Sequence, residues 1–146
     1  MTSEGFGLRH AVEADLDFLV ALRRSTMWVH FEASGLPVDE AEQLGRVLHR
    51  LDCAEMVVID GQDAGLLKVT RDTDPWELVQ IQLLPSYQGR GLGEKLVGRV
   101  LDEARSSGMS VVLDVLHKNP ARRLYERLGF RVVGVGHGFY FMRWDA

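Results

Sequence analysis

Apolar positions change period along the chain. From Leu16 to Met27 they recur three and four residues apart, predicting a helix opened by Asp15. Leu44, Val47, Leu48 and Leu51 predict a second helix, entered through Pro37 and Val38. Residues 28–35 break the pattern between them and read as an irregular stretch. The spacing then shortens to that of strands. Residues 56–60, 64–70 and 76–84 predict a meander joined by turns at Gly61–Gln62 and at residues 72–75. On the third strand, simple alternation puts Glu77 on a face with Val79, Ile81 and Leu83, and Gln80 and Gln82 on the other.

Helical spacing returns after Tyr87, with Leu92, Leu96, Val100, Leu101 and Ala104 on one side of a long helix that ends near Gly108. Residues 109–116 are almost wholly apolar, with Asp114 the one charge, and predict a strand covered on both faces. Asn119–Pro120 starts a further helix stopped by Gly129, and residues 130–135 and 139–144 predict two last strands. With a first strand at residues 6–10, the order is β-α-α-β-β-β-α-β-α-β-β. No repeat or linker divides it, so residues 1–146 read as a single mixed α/β domain.

Composition narrows the class without naming a function. The chain has 146 residues, 46% apolar and 26% charged, which excludes a disordered tail or a fibrous rod. A lone cysteine, Cys53, excludes an intrachain disulfide and reads as a small apolar residue in a reducing compartment. No apolar run is long enough to span a membrane, and the N-terminus lacks the basic start and apolar core of a signal peptide. The expectation is a soluble cytoplasmic protein.

The net charge of −4 argues against nucleic acid as a partner. It hides a division: residues 1–88 carry 7 basic and 15 acidic side chains, residues 89–146 carry 10 and 6. The basic part includes Lys118, Arg122, Arg123 and Arg127, suited to a polyanionic ligand. The acidic part makes a cationic second ligand the expectation.

Two motifs carry chemistry. Gln88-Gly89-Arg90-Gly91-Leu92-Gly93 joins a strand to a helix, where unpaired N–H groups and the positive end of the helix dipole converge on an anion. Glycine permits close approach of the backbone, and Arg90 adds a charged donor. The spacing is not that of a Walker loop. It also lacks the third glycine of a dinucleotide fingerprint, because Leu96 stands there. The second motif is Asn119-Pro-Ala-Arg-Arg-Leu-Tyr125-Glu-Arg-Leu-Gly129-Phe130. Asn119, Pro120 and Gly129 are all explained as helix caps, and Tyr125 as a core residue with a wet hydroxyl.

Together, in this order and separated by one helix and one strand, the motifs resemble the GNAT family of N-acetyltransferases over essentially the whole chain. The resemblance implies a mixed, mostly antiparallel sheet of about seven strands with splayed central strands, flanked by about four helices. It implies acetyl-CoA as co-substrate, no metal, an amine acceptor and a possible homodimer, with no nucleic acid or membrane as partner. Gln88, Gly89, Arg90, Gly91, Leu92, Gly93 and Glu94 match the pyrophosphate loop, Leu83 and Leu84 the strand end that pairs with the pantetheine arm, and Asn119 a cofactor contact. Tyr125 matches the acid that protonates the departing thiolate, and Glu77 the base of some members, others of which relay the proton through water.

For the acceptor, Trp28, His30 and Glu32 fall in the segment that walls the family's substrate cleft. His137 and Tyr140 fall in a hairpin that can supply the opposite wall. Gln80 and Gln82 are candidates to hold substrate or water. The expected activity is acetyl transfer to a small amine, an amino acid or a peptide N-terminus. A non-catalytic acetyl-CoA-binding module is the alternative, and a Rossmann-like nucleotide binder is disfavoured by the missing glycine and the antiparallel meander.

Overall fold

The computed structural model describes residues 5–36 and 38–146; Pro37 and the first four residues of the expected N-terminus lie outside them. Seven strands form one sheet: β1 (Gly7–His10), β2 (Ala54–Ile59), β3 (Gln62–Thr70), β4 (Trp76–Leu83), β5 (Val111–Leu116), β6 (Arg131–Val135) and β7 (Phe139–Trp144). Their order is β1-β2-β3-β4-β5-β7-β6. Only β4 and β5 run parallel; every other neighbouring pair is antiparallel.

Helices α1 (Leu16–Thr26), α2 (Trp28–Ala33) and α3 (Glu40–Leu48) precede β2, α4 (Leu92–Ser107) joins β4 to β5, and α5 (Ala121–Arg127) joins β5 to β6. That makes five helices rather than four. The extra one is α2, the stretch expected to be irregular. Six residues are too few to display a helical period, and a single side chain, Phe31, anchors it at 1% exposure.

The sheet separates two cores. On one face α4 and α5 pack Leu92, Leu96, Val97, Val100 and Tyr125 against Val57, Leu67, Val69, Leu78, Leu113 and Val115. On the other, α1 and α3 pack Leu19, Leu22 and Val47 against Met56 and Leu66. The inward side of α3 is narrower than the sequence pattern suggested. Val47 is buried, but Leu44 and Leu48 are exposed, and buried Gln43 takes the neighbouring inward place.

A buried cation fixes α3 to the sheet. Lys68 on β3 is fully buried, and its Nζ donates to the carbonyls of Arg46 (3.3 Å), Val47 (3.0 Å) and His49 (2.6 Å). These are acceptors that the last turn of a helix leaves without backbone donors, at the negative end of its dipole. Burial, followed by the nearby charge of Arg23, pushes the Lys68 ammonium down to about 8.

Two irregularities in β4 decide what the sheet can hold. The β3–β4 register passes from Lys68↔Gln80 to Val69↔Leu78, leaving Val79 as an extra residue, a β-bulge. The bulge reverses the expected faces. Ile81 and Leu83 join Trp76 and Leu78 against α4, whereas Gln80 and Gln82 join Glu77 on the α3 side. Beyond it β3 and β4 press together. A Cβ at Gly65 would lie 2.2 Å from the Gln82 carbonyl oxygen and 2.9 Å from Leu83 Cδ2.

The second irregularity is divergence. β4 pairs with β5 only at Trp76↔Val111 and Glu77↔Val112. From Leu78 onward the facing edges separate and a gap opens through the sheet. β5 is therefore not covered on both faces, since Asp114 turns into the gap and is exposed. Among the described residues, no helix is long and apolar enough to cross a membrane.

Two glycine substitutions test the packing of β4. Gly65→Ala forces Cβ into backbone and should cost about 2 kcal/mol or more. Gly98→Ala, on α4 with nothing within 4 Å of an added Cβ, should stabilise by about 0.5–1 kcal/mol. Urea unfolding of both variants checks the contrast, and equal midpoints would contradict the close β3–β4 approach.

Candidate active site

The gap between β4 and β5 widens into a cleft of about 530 Å³. The α3 face supplies Arg23, Phe31, Glu42, Arg46 and His49, β4 supplies residues 77–82, and β5 supplies residues 113–116. Asn119 and Tyr125 complete it from the other side, and Phe139 stands with the α3 face, its ring 6.3 Å from that of Phe31. The cleft thus runs between the two helical layers, and groups from both reach it.

Tyr125 is held by its own helix terminus. Its carbonyl accepts from Phe130 N–H (3.0 Å) and Leu128 N–H (3.1 Å), and its ring meets Phe130 edge-on at 5.7 Å. The residue is 6% exposed, and its hydroxyl forms no hydrogen bond with a described residue. Burial pushes the phenol above its ordinary value, so it keeps its proton at neutral pH and can donate it. Asn119 lies at the start of the same helix, with Oδ1 accepting from Ala121 N–H at 3.0 Å.

Two carboxylates face each other across the gap. Glu77 is half-buried; burial first, then repulsion from Asp114, raises its pKa. Burial likewise raises Asp114, opposed by the charge of Arg46. A carboxylate raised in this way is a better proton acceptor at neutral pH. Asp114 did not emerge as a site residue from the sequence, although one signal was present: it is the single charge in an otherwise apolar strand. Arg23 and Arg46 were also missed, because on helices they read as ordinary surface cations.

Gln80 and Gln82 line the cleft. Gln80 Nε2 donates to the Arg46 carbonyl at 3.0 Å, while the Oε1 atoms of both glutamines are buried without a partner. Such acceptors are places for an ordered water or a substrate N–H.

The glycine loop lies at the α4 end of the gap. Gly89 and Gly91 take φ of +76° and +75°, which disfavours any residue with a Cβ, and the space before both is open. Gly91 precedes α4, so the N–H groups of Leu92, Gly93 and Glu94 have no acceptor within the helix. Gly93 sits against Leu124 of α5, at 3.6 Å for an added Cβ. Arg90 is exposed and lies over the Tyr87 ring at 5.3 Å. At the strand end, two backbone groups already have partners: Leu83 carbonyl accepts from Gln88 Nε2 at 2.9 Å, and Leu84 N–H donates to Ala64 carbonyl at 2.8 Å. The β4 edge without a partner on the β5 side lies deeper, along Leu78–Gln82.

The residues expected to receive the acceptor are not brought together. Trp28 lines a separate groove with Val20, Arg24, Glu40 and Leu44, and Arg24 lies over its ring at 5.3 Å. His30 is half-buried on α2, and Glu32 is exposed outside the cleft. His137 is exposed in the β6–β7 turn. Tyr140 faces the opposite helical layer, 4.4 Å from the His117 ring and 4.5 Å from the Arg122 guanidinium. From that hairpin the cleft receives Phe139 instead. The charge that the N-terminal part presents to the cleft is not dominated by acid, since Arg23 and Arg46 stand beside Glu42.

Comparison with known proteins agrees with this geometry. Over 68 residues the chain is 37% identical to the [Ribosomal protein bS18]-alanine N-acetyltransferase of Haemophilus influenzae, covering 46% of this chain and 47% of that protein. It is 40% identical over 80 residues to the N-alpha-acetyltransferase RimI of Mycobacterium tuberculosis, covering 53% and 49%. Over 50 residues it is 46% identical to the L-amino acid N-acyltransferase MnaT of Escherichia coli, covering 33% and 29%. The matched segments span about half the length of the first two relatives, or less.

The fold extends further than the sequence likeness. The PaiA N-acetyltransferase of Thermoplasma acidophilum, solved with coenzyme A, superposes with a TM-score of 0.74 at 16% identity over the whole of both chains. The ribosomal-protein-S18-alanine N-acetyltransferase of Escherichia coli does so at 0.70 and 22% identity, over 96% of this chain and 93% of that one. The family model for the acetyltransferase (GNAT) domain matches residues 52–132, from the start of β2 through α5 into β6 and more than half of the sequence. With its splayed strands, glycine loop and Tyr125 helix all within that match, the chain belongs to the GNAT acetyltransferase family.

Proposed function

We propose that the protein transfers an acetyl group from acetyl-CoA to a primary amine by direct attack within a ternary complex. One observation carries the reading: a cleft open to both helical layers holds a buried, protonated Tyr125 and a half-buried Glu77 of raised pKa. The relatives' names include acceptors of two kinds, a ribosomal protein's alanine and an L-amino acid.

The residues present fit the co-substrate. The first turn of α4 offers N–H donors before open space, and the glycines at +76° and +75° keep that space clear. The unpaired edges of β4 and β5 offer backbone to an extended amide-containing arm, as an added strand would use it. Gln88, Gly89, Arg90, Gly91, Leu92, Gly93 and Glu94 would hold the pyrophosphate, and Asn119 the arm. Leu83 and Leu84 would take part once Gln88 releases the Leu83 carbonyl.

When bound, acetyl-CoA supplies the thioester, at whose carbonyl carbon a C–N bond forms as the C–S bond breaks. An alkylammonium cannot attack, and with an amine pKa near ~10.4 most of the acceptor is protonated at pH 7. Glu77 removes that proton, directly or through water held by the Oε1 atoms of Gln80 and Gln82. A backbone N–H of β4 near the bulge stabilises the developing oxyanion. Tyr125 gives its proton to the departing sulfur, and the second proton, which the nitrogen sheds after attack, returns to the Tyr125 oxygen. Asp114 keeps the proton affinity of Glu77 high by like-charge repulsion.

Three variants test these roles. Tyr125→Phe should lower kcat about 100-fold with acetyl-CoA affinity unchanged, read by thiol release and calorimetric titration. In the wild type, kcat/KM should fall as pH drops through an inflection above the ordinary carboxylate range, where Glu77 takes up its proton. Glu77→Gln should lower the rate and remove that inflection, leaving only the amine's own titration. Asp114→Asn should raise Tm at pH 7. The raised carboxyl favours folding below its unfolded value of ~3.9, and that contribution is lost as pH rises through the native value. The gain should therefore vanish below about pH 4, as differential scanning calorimetry would show.

A further inference from the structure

The cleft holds more positive charge than acetyl transfer uses. Arg23 is 4% exposed, and its Nε donates to Gln43 Oε1 at 2.6 Å. Among the described residues it meets no carboxylate within 4.0 Å. Arg46 reaches one carboxylate, that of Glu42 one turn earlier on α3, at 3.4 Å. Its Nε is buried without a partner. Both guanidiniums lie over the Phe31 ring, with Cζ 5.3 Å and 4.9 Å from its centre, and Arg46 also lies 5.8 Å from the centre of Phe139. The aromatic rings hold the guanidinium planes but satisfy none of their hydrogen bonds.

Arg23 itself is not fully compensated by its surroundings, although the charge of Glu42 works in its favour. Burial, then the charge of Arg46, pushes Arg23 down to about 10. Lys68 adds a second buried cation near Arg23, its protons committed to the carbonyls at the end of α3. Buried cations short of anions are costly, and a carboxylate that accepts from a guanidinium fork relieves that cost. Across the cleft stand Glu77 and Asp114, and Arg46 is close enough to lower the proton affinity of Asp114. One wall thus favours an anion, and the opposite wall favours a cationic or proton-donating amine.

We propose that Arg46 and Arg23 form a carboxylate subsite, and that the acceptor is a free amino acid or a similarly short amino carboxylate. In such a molecule one carbon separates the amine from the carboxylate, so a single small ligand meets both walls of one cleft. A peptide N-terminus presents a neutral amide where the guanidiniums wait. The assignment rests on the acetyltransferase reading and narrows its acceptor.

The test is thiol release from acetyl-CoA with glycine and the L-amino acids, each paired with its primary amide, and with tripeptides. At least one free amino acid should be turned over, with kcat/KM at least about 30-fold above its amide. Arg46→Gln should raise KM for that amino acid about 10- to 100-fold and erase the preference for acid over amide. Acetyl-CoA affinity should stay the same, and Arg46→Lys should recover part of the loss. Amides or tripeptides used as well as the acids would overturn the subsite and leave the acetyltransferase reading standing. So would a preference for succinyl-CoA over acetyl-CoA that disappears in Arg46→Gln, because the anion would then belong to the acyl group. Failure to bind acetyl-CoA together with no release on any acceptor would overturn both. The comparison of acids with amides is made on the wild-type protein and holds whether or not the variants fold.

Discussion

The divergence of β4 from β5 is the constraint on which the rest of the structure depends. Two residue pairs join β4 and β5, the only parallel neighbours among the described residues, and beyond them the backbone edges part. Sheets ordinarily do not leave interior edges unpaired, because N–H and C=O groups without partners are costly when water is excluded. Here the opening is anchored on both sides. β3 presses on β4 at Gly65, and β7 pairs with β5 along its full length. A gap between two well-held half-sheets is a permanent feature, and an extended amide-containing ligand can complete it.

The bulge at Val79 turns that gap into a site with two chemically different sides. One extra residue moves Ile81 and Leu83 into the α4 core and aims Glu77, Gln80 and Gln82 at the α3 layer. Without it, alternation would keep Glu77 among apolar side chains and spend Gln80 and Gln82 on the opposite surface. Tyr125 enters from the other layer, so a proton acceptor and a proton donor approach the same space from opposite directions. Direct transfer between two bound substrates has the same geometry, with amine on one side and leaving sulfur on the other.

The cleft keeps polar groups that a purely structural core would eliminate. Buried Gln80 Oε1, Gln82 Oε1 and Arg46 Nε lack partners, and Asp114 stands close enough to Glu77 to raise its proton affinity. Lys68 makes this arrangement rigid by binding the end of α3, the helix that carries Arg46. Stability is given up locally for groups already aimed at a ligand, the usual condition of a preorganised site.

Local sequence determined most of the elements and the glycine loop. The period of apolar residues, the caps at Asn119 and Gly129, and the glycines at 89 and 91 act over a few neighbouring positions, and short-range physics reads them directly. Residues 28–35 failed that reading because a helix anchored by one phenylalanine shows no period. The acceptor side was not legible for a different reason. Trp28, Glu32 and Tyr140 stand in suggestive places along the chain, yet helix rotation and strand facing send them to other surfaces. Asp114, Arg23 and Arg46 look ordinary in sequence and meet only when α1, α3, β4 and β5 converge. A single bulged residue reverses a strand's faces, and it is set by pairing with β3 rather than by the residues of β4 alone. The sequence by itself therefore determined the elements, the family and the glycine loop between β4 and α4. Only the tertiary structure decided which charges share the cleft, because that depends on contacts between residues tens of positions apart.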